Sequence, residues 1–270
     1  MMSELRAEAL KCLIMTSPTA KVIAVQKMSA DFLGANIRLD ASIVLNPENQ
    51  VIPGRPEFPT LVNPLQVQKR AMNTLEGRAA LLHALTHIEF NAINLALDAI
   101  WRFKDMPKEY YFDWLKVAKE ESIHFQLLSH HLITLGFKYG SFTGHNSLWE
   151  MVQKTSGDVL ARMALVPRTM EAKGLDAVPM ICKRFEQIKD DEVVHILRII
   201  LRDEVGHVSI GNRWYNYLCQ QQGKDPIKTY RDLARAYNAP TLRGPFNVDA
   251  RREAGFSELE LEVLLAEASS

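Results

Sequence analysis

The chain has 270 residues, 47% apolar and 24% charged, an ordinary globular composition that excludes extended disorder. Its 32 basic residues balance 32 acidic ones, so no field of one sign marks nucleic acid or a membrane surface as the main partner. No apolar run approaches the roughly 20 residues needed to span a bilayer.

The opening stretch, MMSELRAEALKCLIM, carries acidic residues early and only a short apolar run, which does not make a secretory signal. Cys12, Cys182 and Cys219 lie far apart and form no CxxC, so reduced thiols and a cytoplasmic location are expected. Helix periodicity dominates the chain, and alternating strand patterns are nearly absent. Residues 4–15 and 18–33 are predicted as two short helices, with Pro18 suited to the first turn of the second. The next stretch, 46–64, contains five prolines and is predicted as an extended strap over the domain surface. Disorder there would leave Val51, Ile52, Phe58, Leu61 and Val62 in water.

Four long helical segments follow, at about 74–103, 108–135, 157–187 and 190–222, with a short helix near 147–153. Pro167, Gly174 and Pro179 predict kinks or a break in the third. A weaker helix at 226–237, an irregular APTLRGPFN and a final helix from about 257 complete the chain. Short links between long helices imply antiparallel neighbours. The expectation is therefore an all-α protein: a four-helix bundle at 74–222, an N-terminal helical and proline-rich strap at 1–73, and a C-terminal extension at 223–270 packed on the bundle as one domain.

Two Glu-x-x-His pairs stand on the second and fourth long segments: Glu121 with His124, and Glu204 with His207. On a helix, positions i and i+3 lie about 60° apart and about 4.5 Å along the axis, so both side chains reach one ion. One such pair is a weak signal. The other two segments each add an acid: Glu89 stands 32 residues before Glu121, and Glu171 stands 33 before Glu204. This duplicated order is the ligand set of a dinuclear carboxylate site in a four-helix bundle. Glu89 shares its face with Leu82, Leu85, Ile93, Ala96 and Leu97, where an unpaired carboxylate would cost several kcal/mol or be protonated. The oxygen-rich donors with two nitrogens suit two iron ions, with manganese or a mixed manganese–iron pair as alternatives.

Glu120 and Asp203, each four residues before its histidine, are candidates to accept the free imidazole N–H of the opposite helix's histidine. His83 and His87 are expected on another face from Glu89, and a third pair, Glu192 with His195, is expected to be chance. His130 and His131 are expected at the surface. Phe125, and His145 from TGHNSLW, are candidates to wall a pocket, although core packing is the plainer expectation for Phe125 and Trp214. Arg162 and Arg168 are expected to pair with acids.

Residues 74–222 resemble the ferritin-like di-iron carboxylate superfamily. HIEFNAINLALDAIWRF, EESIHF, HNSLWE, LVPRTMEAKGLD, RDEVGHVSIGNRW and GPFNVDARREAGF resemble the DUF455 family of bacterial ferritin-like proteins over most of the chain. By position, that resemblance implies Glu89, Glu121, His124, Glu171, Glu204 and His207 as ligands. It implies a fold and a metal site more firmly than a reaction.

Three functions follow as expectations. The first is an O₂-activating oxygenase or hydroxylase acting on an unidentified organic substrate, with electrons from a partner protein because no flavin, NAD or iron–sulfur motif is present. The second is ferroxidase, peroxidase or manganese-catalase-like chemistry with O₂ or peroxide and no organic substrate. The third is a metal-binding bundle without turnover. A tRNA-modifying hydroxylase in the superfamily is a precedent for a bulky substrate, but the balanced charge does not encourage a nucleic acid. No membrane partner is expected, and exposed apolar faces would permit a homodimer.

Overall fold

The computed structural model describes residues 3–68 and 70–268. Among them, helices account for nearly all regular structure, and the chain forms two compact units, Met1–Trp149 and Glu150–Ser270. This division cuts across residues 74–222. In the first unit the N-terminal helices pack on the first two long helices, and in the second the C-terminal helices pack on the last long ones.

The first unit contains α1 (Leu5–Ile14), α2 (Pro18–Leu33), α3 (Leu75–Arg102) and α4 (Lys108–Thr134). Side-chain oxygens of Glu4, Ser17 and Thr74 accept from the backbone N–H of Ala7, Ala20 and Gly77, capping the starts of α1, α2 and α3. Two-residue strands β1 (Ser3–Glu4) and β2 (Ile37–Arg38) pair in parallel, a feature too short to carry an alternating pattern. A hairpin of antiparallel helices follows from the contacts of α3 with α4. The Tyr110 hydroxyl donates to Ala99 O at 3.3 Å near the connecting link, and the helices meet again between Glu89 and His124.

Two buried cations tie this unit together by satisfying helix-end carbonyls. Arg6 donates to Ile100 O at 3.3 Å and Trp101 O at 2.7 Å, at the end of α3. Lys21 donates to Leu13 O at 3.1 Å, near the end of α1, and to Gly54 O at 3.0 Å in the proline-rich segment. That segment does run as an extended strap, but not for the expected reason. Val51, Phe58 and Leu61 remain exposed. Backbone hydrogen bonds hold it instead, from Gly54 N to Leu13 O and between Thr60, Val62 and Gly144.

The unit boundary falls inside α5 (Ser147–Lys154). The second unit contains α6 (Val159–Leu165), a π-helical turn (Val166–Glu171), α7 (Ala172–Gln187), α8 (Asp191–Gln221), α9 (Pro226–Ala236), α10 (Val248–Glu253) and α11 (Glu258–Ala268). The break expected near Pro167 takes the form of the π turn, where the Thr169 hydroxyl donates to Ala164 O at 2.8 Å. Gly174 and Pro179 do not end the helix, because α7 runs through both. Proline at 179 lacks the N–H that Leu175 O would accept, and the Asn247 amide donates to that carbonyl instead at 3.2 Å.

Asn247 also caps α10, a short helix between the irregular stretch 239–247 and the final helix. The C-terminal segment packs Ala254, Phe256 and Leu261 against Ala172, Leu175 and Val208. Arg251, fully buried, donates to Asp176 at 2.6 Å. Arg168, on the π turn, pairs with Glu260 and donates to Asn212 Oδ1 at 2.9 Å, so it meets the acid expected for it. Arg162 donates to Thr155 Oγ1 at 2.8 Å and Val152 O at 2.6 Å.

Candidate metal centre

Glu89 lies near the middle of α3, and Glu121 and His124 lie one helical turn apart on α4. Antiparallel pairing of the two helices brings the three together. His124 Nδ1 is 3.3 Å from Glu89 Oε2 and 3.3 Å from Glu121 Oε2. The ligand-capable atoms of these residues all fall within 4.8 Å of one another. All three side chains are buried, Glu121 and His124 completely.

Burial, and then the neighbouring Glu121 charge, push the Glu89 carboxyl well above its ordinary range, against the opposing pull of His124. Two acids crowded in an apolar interior need either a proton or a cation between them. The donor set suits a cation: two carboxylates and one imidazole nitrogen converge, and Nδ1 is the nitrogen turned toward both acids.

The second unit repeats the order of donors. Glu204 and His207 stand on α8 with His207 Nδ1 3.7 Å from Glu204 Oε1, so the same imidazole nitrogen faces the acid. Glu171 closes the π turn that leads into α7. A Cβ built at Gly174 would lie 4.0 Å from Glu204 Oε2, which sets the start of α7 beside the Glu204 carboxylate. His207 is fully buried, whereas Glu171 and Glu204 retain 9% and 8% exposure.

The remaining candidates divide by environment. Glu120 is half-buried, with Lys116 Nζ 3.9 Å away, and Asp203 receives the Arg202 guanidinium at 2.8 Å. Glu192 and His195 are exposed, in keeping with a chance pair, and His130 is exposed as well. Phe125 is buried and meets Phe90 and Tyr139 with ring centroids at 5.6 and 5.2 Å. Trp214 is buried edge-on against Tyr217.

His83 and His87 are core histidines. Burial lowers both pKa values to about 4, so both are neutral near pH 7. Gly140 N donates to His83 Nε2 at 2.9 Å. His87 Nε2 is 3.0 Å from the carbonyl of His145, which can only accept, so the proton sits on Nε2. Nδ1 therefore accepts from the Tyr139 hydroxyl at 2.8 Å. Close approach of the 140s loop requires Gly144, where a Cβ would lie 2.8 Å from the His87 ring. The one-turn spacing of His83 and His87 was visible in the sequence, but their partners come from a loop more than fifty residues away.

A family model described as "Protein of unknown function (DUF455)" matches residues 14–262. An uncharacterized protein of Haemophilus influenzae is 51% identical over 214 residues, covering 77% of this chain and 74% of its own. No solved structure gives a significant match.

Proposed function

The chain belongs to the DUF455 family, and on that premise we propose that its two hairpins jointly hold a dinuclear metal centre, di-iron first of all, that oxidises an organic substrate. The reading rests on one observation above all. A buried carboxylate–carboxylate–imidazole triad in the first unit is matched, in the same chain order, by Glu171, Glu204 and His207 in the second. On this reading the architecture is that of a ferritin-like four-helix bundle. Each hairpin offers one imidazole and two carboxylates, and sharing of carboxylates would couple the two ions.

The chemistry such a centre supplies when bound is reduction of dioxygen coupled to oxidation of the substrate, with electrons replenished by a donor protein. The residues around it have separate tasks. His124 and His207 present Nδ1 to the acids, which leaves each Nε2–H for a carboxylate acceptor, with Glu120 and Asp203 as the candidates. Burial and the Glu121 charge favour the protonated form of Glu89 when no metal is bound, and a cation held there would favour its release. Phe90, Ile93 and Phe125 wall the first half with apolar surface and keep bulk water from reactive species.

Anaerobically purified protein should contain about two metal ions per chain, with iron dominant. Metal-free protein, or a single zinc, would overturn the assignment. Glu204→Ala should lose metal and keep its helical circular dichroism; full retention would mean that other acids are the ligands. With iron present, O₂ uptake should rise when small-molecule cell fractions are added. Rapid peroxide turnover that no fraction accelerates would favour the reading without an organic substrate.

A further inference from the structure

The first unit contains a cavity of about 280 Å³ between the proline-rich strap and one side of α3. We propose that it binds a small organic acid with a flat or apolar body, the substrate of the centre described above; this rests on that reading for the word substrate, not for binding.

The position of the cavity carries the first part. Phe90 and Asn91, which line it, follow Glu89 directly in the chain, and Phe125 follows His124. The rings of Phe90, Phe125 and Tyr139 meet one another at 5.2 to 5.6 Å between centroids. One aromatic layer therefore joins the cavity wall to both helices of the first half-site. The volume is at the small end for ligand pockets, which suits a metabolite and excludes a polymer from entering whole.

The wall chemistry carries the second part. Phe90 and Tyr139 provide flat apolar surface. The Tyr139 hydroxyl donates to His87 Nδ1, and the Nε2–H of His87 is committed to the His145 carbonyl, so this pair forms a fixed wall whose donors are already engaged. The charged lining residues are Arg55 and Glu57, both on the strap. Glu57 is exposed, whereas Arg55 is half-buried, donates to Asn146 Oδ1 at 2.6 Å and lies over the Trp149 ring at 6.0 Å. A guanidinium held in one orientation is a directional receptor for a carboxylate, and an exposed carboxylate is a poor receptor for an amine. Asn91 and Thr60 add neutral polar groups beside it.

Three probes of one shape test the proposal: benzoate, benzamide and benzylamine, titrated into the full-length protein with ligand-observed NMR. Benzoate should bind, benzamide should bind about tenfold more weakly and benzylamine more weakly still. Arg55→Met should reduce benzoate affinity about tenfold and remove the preference over benzamide. Leu61→Trp, at an exposed strap position lining the cavity, should block benzoate while leaving the fold intact by circular dichroism. Failure of benzoate to bind, equal binding of benzylamine, or an unchanged affinity in Arg55→Met with native circular dichroism would each overturn it. Metal content separates this result from the preceding one. Benzoate binding to a chain that holds no metal would sustain the cavity and sink the metal centre, and two metals without benzoate binding would do the reverse.

Discussion

In the first hairpin Glu89 sits inside an unbroken helix of 28 residues, whereas in the second Glu171 closes a π turn of 6 residues. The donors keep the same order, but their backbones differ. The first triad is tightly drawn, with both acids 3.3 Å from His124 Nδ1. In the second, His207 Nδ1 lies 3.7 Å from Glu204 Oε1, and the acids are a little more open to water.

The difference teaches where each half gets its rigidity. Regular hydrogen bonds of α3 and α4 hold the first set. The π turn instead depends on side chains: Thr169 on Ala164 O, Arg168 on Asn212 and Glu260, and Pro167 against Gly211 of α8. Of the four acids, Glu171 therefore has the backbone best able to adjust. The C-terminal helices serve as the brace for that adjustable half.

The largest effect expected from breaking this comparison lies in the closed half. Because the folded pKa of Glu89 is raised, the stability linked to its proton is fully present below the ordinary value of 4.5 and is lost as pH rises through the raised value. Metal-free protein should weaken upward from pH 4.5 with a slope of at most about 1.4 kcal/mol per pH unit for this group. Glu89→Gln should flatten that slope in urea unfolding measured across pH. An unchanged slope would show that Glu89 holds no such proton.

A smaller effect belongs to the open half. Gly211→Ala would put a Cβ 2.5 Å from Pro167 Cβ and 2.6 Å from its Cγ. The cost should be about 1–3 kcal/mol, the usual range for overpacking. Hydrogen exchange should rise in the π turn and α8 but not in α3 and α4; uniform loosening of both hairpins would erase the distinction drawn between them. The smallest effect is that of Asn247→Ala, which removes the donor to Leu175 O and the cap of α10. About 1 kcal/mol of stability should go, read by thermal unfolding.

Much of this was legible in the residues alone. The periodicity marks α2, α3 and α4 to within a residue or two of their ends, because strong caps such as Ser17 and Thr74 and the glycine at 136 punctuate them. Burial of Glu89 was legible too, from the apolar residues that share its helical face. The core roles of His83 and His87 were not, because Tyr139, Gly140 and His145 reach them from a distant loop. The strap was read correctly as extended, yet Val51, Phe58 and Leu61 misled about the cause, since they stay exposed while backbone hydrogen bonds and buried Pro53 and Pro59 hold it.

By itself, the sequence determined the helical class, the duplicated order of acids and histidines, and the one-turn geometry of each Glu-x-x-His, because these follow from periods of three and four residues along one helix. Only the tertiary structure decided that α7 continues through Pro179, since the compensating amide of Asn247 lies 68 positions along the chain from it. It also decided that Glu171 ends a π turn, that His87 commits its one ring proton to a loop carbonyl, and that a cavity opens beside Phe90. Each of these depends on partners brought close by packing, and local pattern carries no record of such partners.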